Sequence, residues 1–250
     1  ASAGLGFRSY DPMLNRLYGL SGWVDYDQGH ARTYQQAGVS FESLGTWMDV
    51  RVNGYIPFGT ESNLVGSSIV GDPFFSGSSL LVNQRQVHES AYRGLDAEIG
   101  GPLPLLGRYG VSGYVGGYWL DSKTDEVAAG PRVRLEANVT DSFRVSMTAS
   151  DDPVFGTNAW VNLNLSLPDG RARRWFRPTA VEDRMVRTVE RSYRVQTHTR
   201  SDLVPTPVLV GSGGTPNNPQ GGFTGQPVRV VFVDPDRLTN GDGTLERPYN

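Results

Sequence analysis

Residues 158 to 168 read NAWVNLNLSLP, placing Ala159, Val161, Leu163, Leu165 and Leu167 on one face of an extended chain and Trp160, Asn162, Asn164 and Ser166 on the other. Side chains alternate across a strand with period two, so no helix gathers such a pattern on one side. The same period recurs toward the N-terminus. It predicts strands over Leu5 to Tyr10, Leu17 to Tyr26, Thr33 to Ser43, Trp47 to Pro57, Tyr92 to Gly101, Arg108 to Leu120, Ala129 to Val139, Phe143 to Asp151 and Ala159 to Leu167. In the fourth, Met48, Val50, Val52 and Ile56 oppose Asp49, Arg51, Asn53 and Tyr55. In the seventh, Val133, Leu135 and Ala137 oppose Arg132, Arg134, Glu136 and Asn138, and in the eighth Val145 and Met147 oppose Arg144, Ser146 and Thr148.

A soluble β-sandwich also alternates, because one sheet face meets a core and the other meets water. Three features favour a membrane-spanning meander instead. Aromatic residues gather near strand ends (Tyr26, Trp47, Tyr92, Tyr109, Tyr118, Trp119, Phe143, Trp160), as interfacial girdles require. The polar face carries Gly and Ser beside its charges, which suits a crowded lumen. Connections also alternate between short (Tyr10 to Asn15, Ser43 to Thr46, Gly101 to Gly107, Thr140 to Ser142) and mostly longer, more polar ones (Asp27 to Arg32, Phe58 to Ser79, Asp121 to Ala128, Asp151 to Asn158), as periplasmic turns and extracellular loops do. The stretch Leu80 to Ala91 reads either as an extension of the fifth strand or as part of the long loop before it.

Composition narrows the classes further. The 250 residues are 38% hydrophobic with 31 glycines and no cysteine, which removes disulfide frameworks and thiolate chemistry. No apolar run reaches the ~20 residues of a transmembrane helix, whereas a barrel strand exposes only every second residue to lipid. The formal charge of −3 conceals an asymmetry: residues 1–170 hold 11 basic and 18 acidic side chains, while residues 171–200 hold 9 and 3. A basic run of this kind is usually read as a nucleic-acid or anionic-lipid patch. Here an acidic neighbour in the same chain is the nearer partner, and no nucleic acid is expected.

The stretch YGLSGWVDYDQGHARTYQQAGVSFESLGTWMDVRVNGYIPFG (18–59), followed by YRGLDAEIGGPLPLLGRYGVSGYVGGYWL (92–120), resembles the β-domain of inverse autotransporters, the intimin and invasin group. The resemblance covers roughly Gly4 to Val195. It implies an all-β, antiparallel transmembrane β-meander or barrel, with about nine of twelve strands present here and about three expected upstream, and a C-terminal passenger exported through the lumen. It further implies an outer-membrane location, an extracellular passenger with a role in cell adhesion, and contact with outer-membrane lipid, periplasmic chaperones and the barrel assembly machinery.

After Leu167 the period changes. Thr179 and Glu182 form a capping box behind Pro178, predicting a helix from Ala180 to Tyr193. Val181, Met185, Val189 and Tyr193 form its apolar stripe, with Arg184, Arg187, Arg191 and Arg194 beside it. The pattern fits a small surface helix under a loop; the resemblance instead implies a plug inside the barrel. The expected organisation is therefore a partial barrel over 1–170, a basic luminal helix over 171–200, a Gly, Pro and Asn-rich flexible linker over 201–227, and the start of a passenger over 228–250. That last segment resembles the entry of right-handed parallel β-helix domains. Asp234, Asp236, Asn240 and Asp242 depart from the spacing of an EF-hand loop, and turn formation accounts for them equally well.

Nothing in the sequence points to catalysis or to a cofactor. His30, His88 and His198 lie in unrelated contexts, and neither H-E-x-x-H nor G-x-S-x-G occurs. Asp49, Asp96, Glu98 and Glu136 are expected to pair with Arg51, Arg132, Arg134 and Arg144 as a luminal network, because a buried charge must be matched. Val50, Val52, Val133, Val145 and Leu163 are expected to face lipid. The expected role is a translocator and anchor without catalysis. The alternatives are a porin-like channel or outer-membrane enzyme, and a secreted β-helix carbohydrate-binding or lyase protein.

Overall fold

The computed structural model describes every residue except 30, 124–125, 141–142, 166–175, 177, 179, 211–225, 234–240, 243 and 249–250. It divides into two compact units, Ala1–Glu61 with Ser90–Thr197, and Ser62–Glu89 with His198–Asn250.

The first unit is a nine-stranded antiparallel sheet: β1 (Ser2–Asp11), β2 (Arg16–Asp27), β3 (Tyr34–Leu44), β4 (Asp49–Phe58), β7 (Arg93–Pro102), β8 (Val111–Asp121), β9 (Ala128–Asn138), β10 (Phe143–Ser150) and β11 (Asn158–Leu165). These strands pair in chain order, except that β4 meets β7 across an insertion, and the sheet curls into a half-barrel. All nine correspond to strands read from the hydrophobic period. Two starts move by three residues: β1 begins at Ser2 rather than Leu5, and Gly107–Tyr109 is a 3-10 turn closed by Gly110 in the left-handed region (φ 78°), so that strand begins at Val111.

The two faces of this sheet differ in chemistry. Along β9 the buried or half-buried side carries Arg132, Arg134, Glu136 and Asn138, while Val133 and Leu135 are more than half exposed. On β10, Ser146 and Thr148 are buried and Met147 is exposed. Apolar side chains dominate the bare face from Leu5 and Phe7 on β1 to Leu163 and Leu165 on β11. Val133 and Leu163 lie exposed there, and Val50, Val52 and Val145 are half-exposed. Buried apolar side chains form only small clusters, Leu17 with Leu44 and Val181, Tyr34 with Ala91 and Val195, and Tyr92 with Tyr118, Leu120 and Ala128. Tyr92 and Tyr118 therefore leave the expected aromatic girdle for the covered side, whereas Trp47, Tyr109 and Trp119 are exposed.

The helix expected over Ala180 to Tyr193 is not formed. Glu182–Val186 makes one 3-10 turn, and Arg187 is already extended (φ −74°, ψ 147°). Thr179, the expected cap, lies outside the described residues. The reason is reach. Arg184 binds Asp49 on β4, and Val195, eleven residues later, binds Asp27 on β2. Through the register Asp27↔Tyr34 and Gln35↔Phe58, Asp27 lies about ten rungs beyond Asp49, or ~33 Å. A helix climbs only ~16 Å in eleven residues, whereas an extended chain covers ~36 Å. Fixed carboxylates on the sheet therefore outweigh the local helical pattern.

The second unit holds β5 (Ser62–Ser76), β6 (Ser79–Ala91) and β12 (Thr197–Pro207) in one sheet of order β12-β6-β5, with β13 (Leu209–Val210) paired to β14 (Gln226–Pro227). The connection read as a loop over Phe58 to Ser79 thus contains a long strand, and Leu80 to Ala91 is its hairpin partner. The segment read as a linker over 201–227 opens within β12. Backbone pairing to β6, aided by β-branched Thr197, Thr199 and Val204, outweighs the spacer-like composition downstream. Pro73 is tolerated because β5 is an edge strand.

Candidate functional site: an arginine strap on the buried polar face

Period-two alternation on β2, β3, β4, β7, β9 and β10 delivers their charged side chains to one face, where ion pairs run from strand to strand. Arg51 and Glu98 are direct cross-strand partners and meet at 2.8 Å. Glu98 also holds Arg134 at 2.6 Å, Arg134 holds Glu136 at 2.6 Å, and Glu136 holds Arg144 at 3.4 Å. Arg51 further approaches Glu42 (3.5 Å) and Asp49 (3.6 Å). Asp96 takes the amide of Asn53 at 2.8 Å and lies 3.7 Å from Arg132. Arg134 and Arg51 lie over the Tyr114 ring, 4.0 and 4.9 Å from its centre. All eight residues expected in the luminal network are therefore on this face. Six form one connected chain, with Asp96 and Arg132 as a separate pair.

Residues 181–196 lie along this face as a strap. Val181 packs on Leu17 and Leu44 near the short turns. Arg184 forks onto the Asp49 carboxylate and donates to the Gly45 carbonyl (3.2 Å), while the Tyr114 hydroxyl (3.0 Å) and the Gly45 N–H (3.0 Å) complete the shell of Asp49. Arg8 on β1 donates to the carbonyls of Arg184, Met185 and Arg187, and is itself held by Glu42 at 2.5 Å. Arg187 reaches Asn138 (3.0 Å) and Glu136 (3.7 Å). Further along, Asn53 donates to the Glu190 carbonyl (3.3 Å), and the Ser192 N–H donates to the Tyr55 hydroxyl (2.8 Å).

Arg191 makes the most deeply buried anchor. Its guanidinium binds both oxygens of Asp25, at 2.8 and 2.6 Å, with side-chain exposures of 0% and 1% for the two partners. The rings of Trp23 and Tyr193 cover it, at 4.3 and 4.4 Å. Planar, bidentate and stacked contacts of this kind select arginine over lysine. Arg194 is only peripheral, largely exposed and 3.9 Å from Asp27. Asp25, Arg8, Glu42 and Glu190 were not singled out in the sequence. The first three stand on the same alternate positions as the residues that were, so the period on β1, β2 and β3 carries the signal.

Beyond β10 the connection 151–158 folds back on the sheet. Asp152 accepts from the Tyr118 hydroxyl and from the N–H groups of Val154 and Phe155, both at 2.7 Å. Phe155 stacks edge-on against Tyr92 at 5.7 Å. Burial pushes the Asp152 carboxyl up, but these three donors outweigh it and hold its pKa below the ordinary value. A depressed folded-state pKa stabilises the fold above the unfolded value of about 4, and that contribution is lost as pH falls through the lower folded value. Limited proteolysis should therefore find 151–158 protected at neutral pH and increasingly cut as the pH falls from about 4 through the lower folded value. Asp152→Ala should make it susceptible at neutral pH, with no further acid dependence.

Among the described residues no cluster of three or more metal-ligating side chains occurs. Asp234, Asp236 and Asn240 lie outside them, while Asp242 accepts from the N–H and hydroxyl of Thr244 (3.2 and 2.8 Å) in a turn. No protein family, curated protein or solved structure matches this chain.

Proposed function

We propose that this chain is an outer-membrane anchor and export domain of the inverse-autotransporter kind, which displays its C-terminal portion outside the cell. One observation carries the reading: the nine-stranded sheet buries its charged face and bares its apolar one. Water penalises such an arrangement, because exposed apolar patches of this extent are unfavourable in a soluble monomer. A bilayer inverts the preference, with apolar side chains meeting lipid and charges lining the lumen. A soluble sandwich reverses both faces.

The strap supports the export direction. It runs from Val181 beside the short turns to Val195 beside Asp27 at the longer connections, so a chain with short turns in the periplasm leaves at the cell surface. Its basic side chains neutralise the acidic lumen, and the carboxylates they and the sheet arginines hold serve structure rather than acid–base catalysis. Among the described residues the pairing order runs from β1 to β11 without joining them, and unpaired strand edges are unfavourable in lipid. Membership of a twelve-stranded barrel resolves this. Outer-membrane lipid, periplasmic chaperones, the barrel assembly machinery and the protein's own passenger are the partners this reading entails, and adhesion is the role of the passenger.

Epitope tags test the topology. Tags after Gly29 and after Gly156 should bind antibody on intact cells expressing the full-length protein, whereas a tag after Leu14 should bind only once the outer membrane is permeabilised. The reverse pattern would invert the export direction.

A further inference from the structure

The nine-stranded sheet does not need the β5–β6 hairpin. β4 pairs with β7 directly, and the Ala91 N–H already bonds the Glu61 carbonyl at 2.8 Å across the base of the insertion. What the hairpin binds is the chain that follows the strap. Just past the hairpin the Tyr92 N–H donates to the carbonyl of Gln196, the last residue of the strap (2.9 Å); within the hairpin Gln84 Oε1 accepts from the Thr206 hydroxyl (3.2 Å) and the Leu80 carbonyl from the Val208 N–H (2.9 Å). One partner number rises as the other falls, so β12 runs antiparallel to β6 along most of its length. After β13 and β14 the chain returns to the same place. The Leu80 N–H donates to the Val228 carbonyl (3.4 Å), the Val230 N–H to the Ser78 carbonyl (2.8 Å), and Ser79 bridges Arg229. Phe232 then sets its ring edge-on to Phe75 at 5.0 Å. Residues 78–80 thus fasten both ends of a segment whose composition reads as a free spacer.

We propose that the β5–β6 hairpin is a built-in folding template, an edge that captures residues 197–210 and 226–233 of the chain and nucleates the fold of the exported portion. The proposal rests on the export reading above. Without β12, β6 presents an open edge, and strand addition to such an edge uses main-chain hydrogen bonds that depend little on side-chain identity. The hairpin runs into β7 and the strap runs into β12, so the Tyr92–Gln196 rung starts the pairing and each later rung closes only a short loop. Long-range strand pairing is slow when the chain must search for it. A tethered edge replaces that search with a high local concentration.

Two variants of the full-length protein in intact cells test this. In the first, residues 62–89 are replaced by two glycines. The barrel should assemble with unchanged heat-modifiable mobility and still export residues 197–250, but these should gain protease resistance about tenfold more slowly. In the second, Gln84→Cys with Thr206→Cys is introduced, the 250 residues having no other cysteine, and the pair should cross-link before protease resistance appears. A normal barrel whose exported portion folds at the parental rate without the hairpin, or a cysteine pair that cross-links only after resistance is complete, overturns the template. An unaltered protein that never reaches the outer membrane overturns the export reading and this proposal together.

Discussion

Asp25→Leu should destabilise the first unit by about 3 to 5 kcal/mol, because it strands the Arg191 guanidinium in a site from which water is excluded. Both partners are essentially inaccessible, and Trp23 and Tyr193 close over the cation. The double change Asp25→Leu with Arg191→Met should recover most of that loss, since a matched apolar pair is often no worse than a buried ion pair. Urea unfolding of the detergent-solubilised full-length protein measures both. A single variant no less stable than the double variant would mean that Arg191 does not hold the strap.

Arginine at Leu163 or Val133 should cost about 2 to 4 kcal/mol if these side chains sit near the bilayer midplane. Asn162→Ala, on the opposite face of the same strand as Leu163, should cost less than about 1 kcal/mol. The contrast matters more than either value, because a soluble sheet with an exposed apolar face would accept arginine at Leu163 readily. Folding into vesicles, followed by the mobility shift of folded barrel in an unheated gel, reads the difference. Equal tolerance at Leu163 and Asn162 would argue against lipid contact.

The seven inner strands of the curled sheet were legible because each has one covered and one bare face, and burial is what writes a period of two into a sequence; β1 and β11, at the ends of the pairing order, carry the same period although much of both their faces is exposed. β5 lacks that property. Its residues are mostly half-buried or exposed without alternation, and Gly66, Gly71 and Pro73 make its composition loop-like. It is held by backbone hydrogen bonds, which leave little trace in side-chain order. β12 escaped for the same reason. The strap failed differently. Val181, Met185, Val189 and Tyr193 do recur every four residues, yet the carboxylates that receive Arg184 and Arg191 stand on separate strands far apart along the sheet. That spacing is a property of register, which no local pattern contains. The network residues on β4, β7, β9 and β10 were recoverable from alternation alone, and Asp25 and Glu42 would have followed had the same reading been carried onto β2 and β3.

Spin labels placed singly at residues 145 to 149 along β10 give the most direct test of the central claim, because these 250 residues contain no cysteine to compete. Ser146 and Thr148 are buried, Met147 is exposed, and Val145 and Ala149 are half-exposed. In the full-length protein reconstituted in lipid, labels at Val145, Met147 and Ala149 should collide readily with oxygen dissolved in the bilayer and rarely with an aqueous nickel complex. Labels at Ser146 and Thr148 should be shielded from oxygen. A membrane-spanning sheet predicts that period-two oxygen profile, whereas nickel access at Met147 equal to that of a free surface site would contradict it.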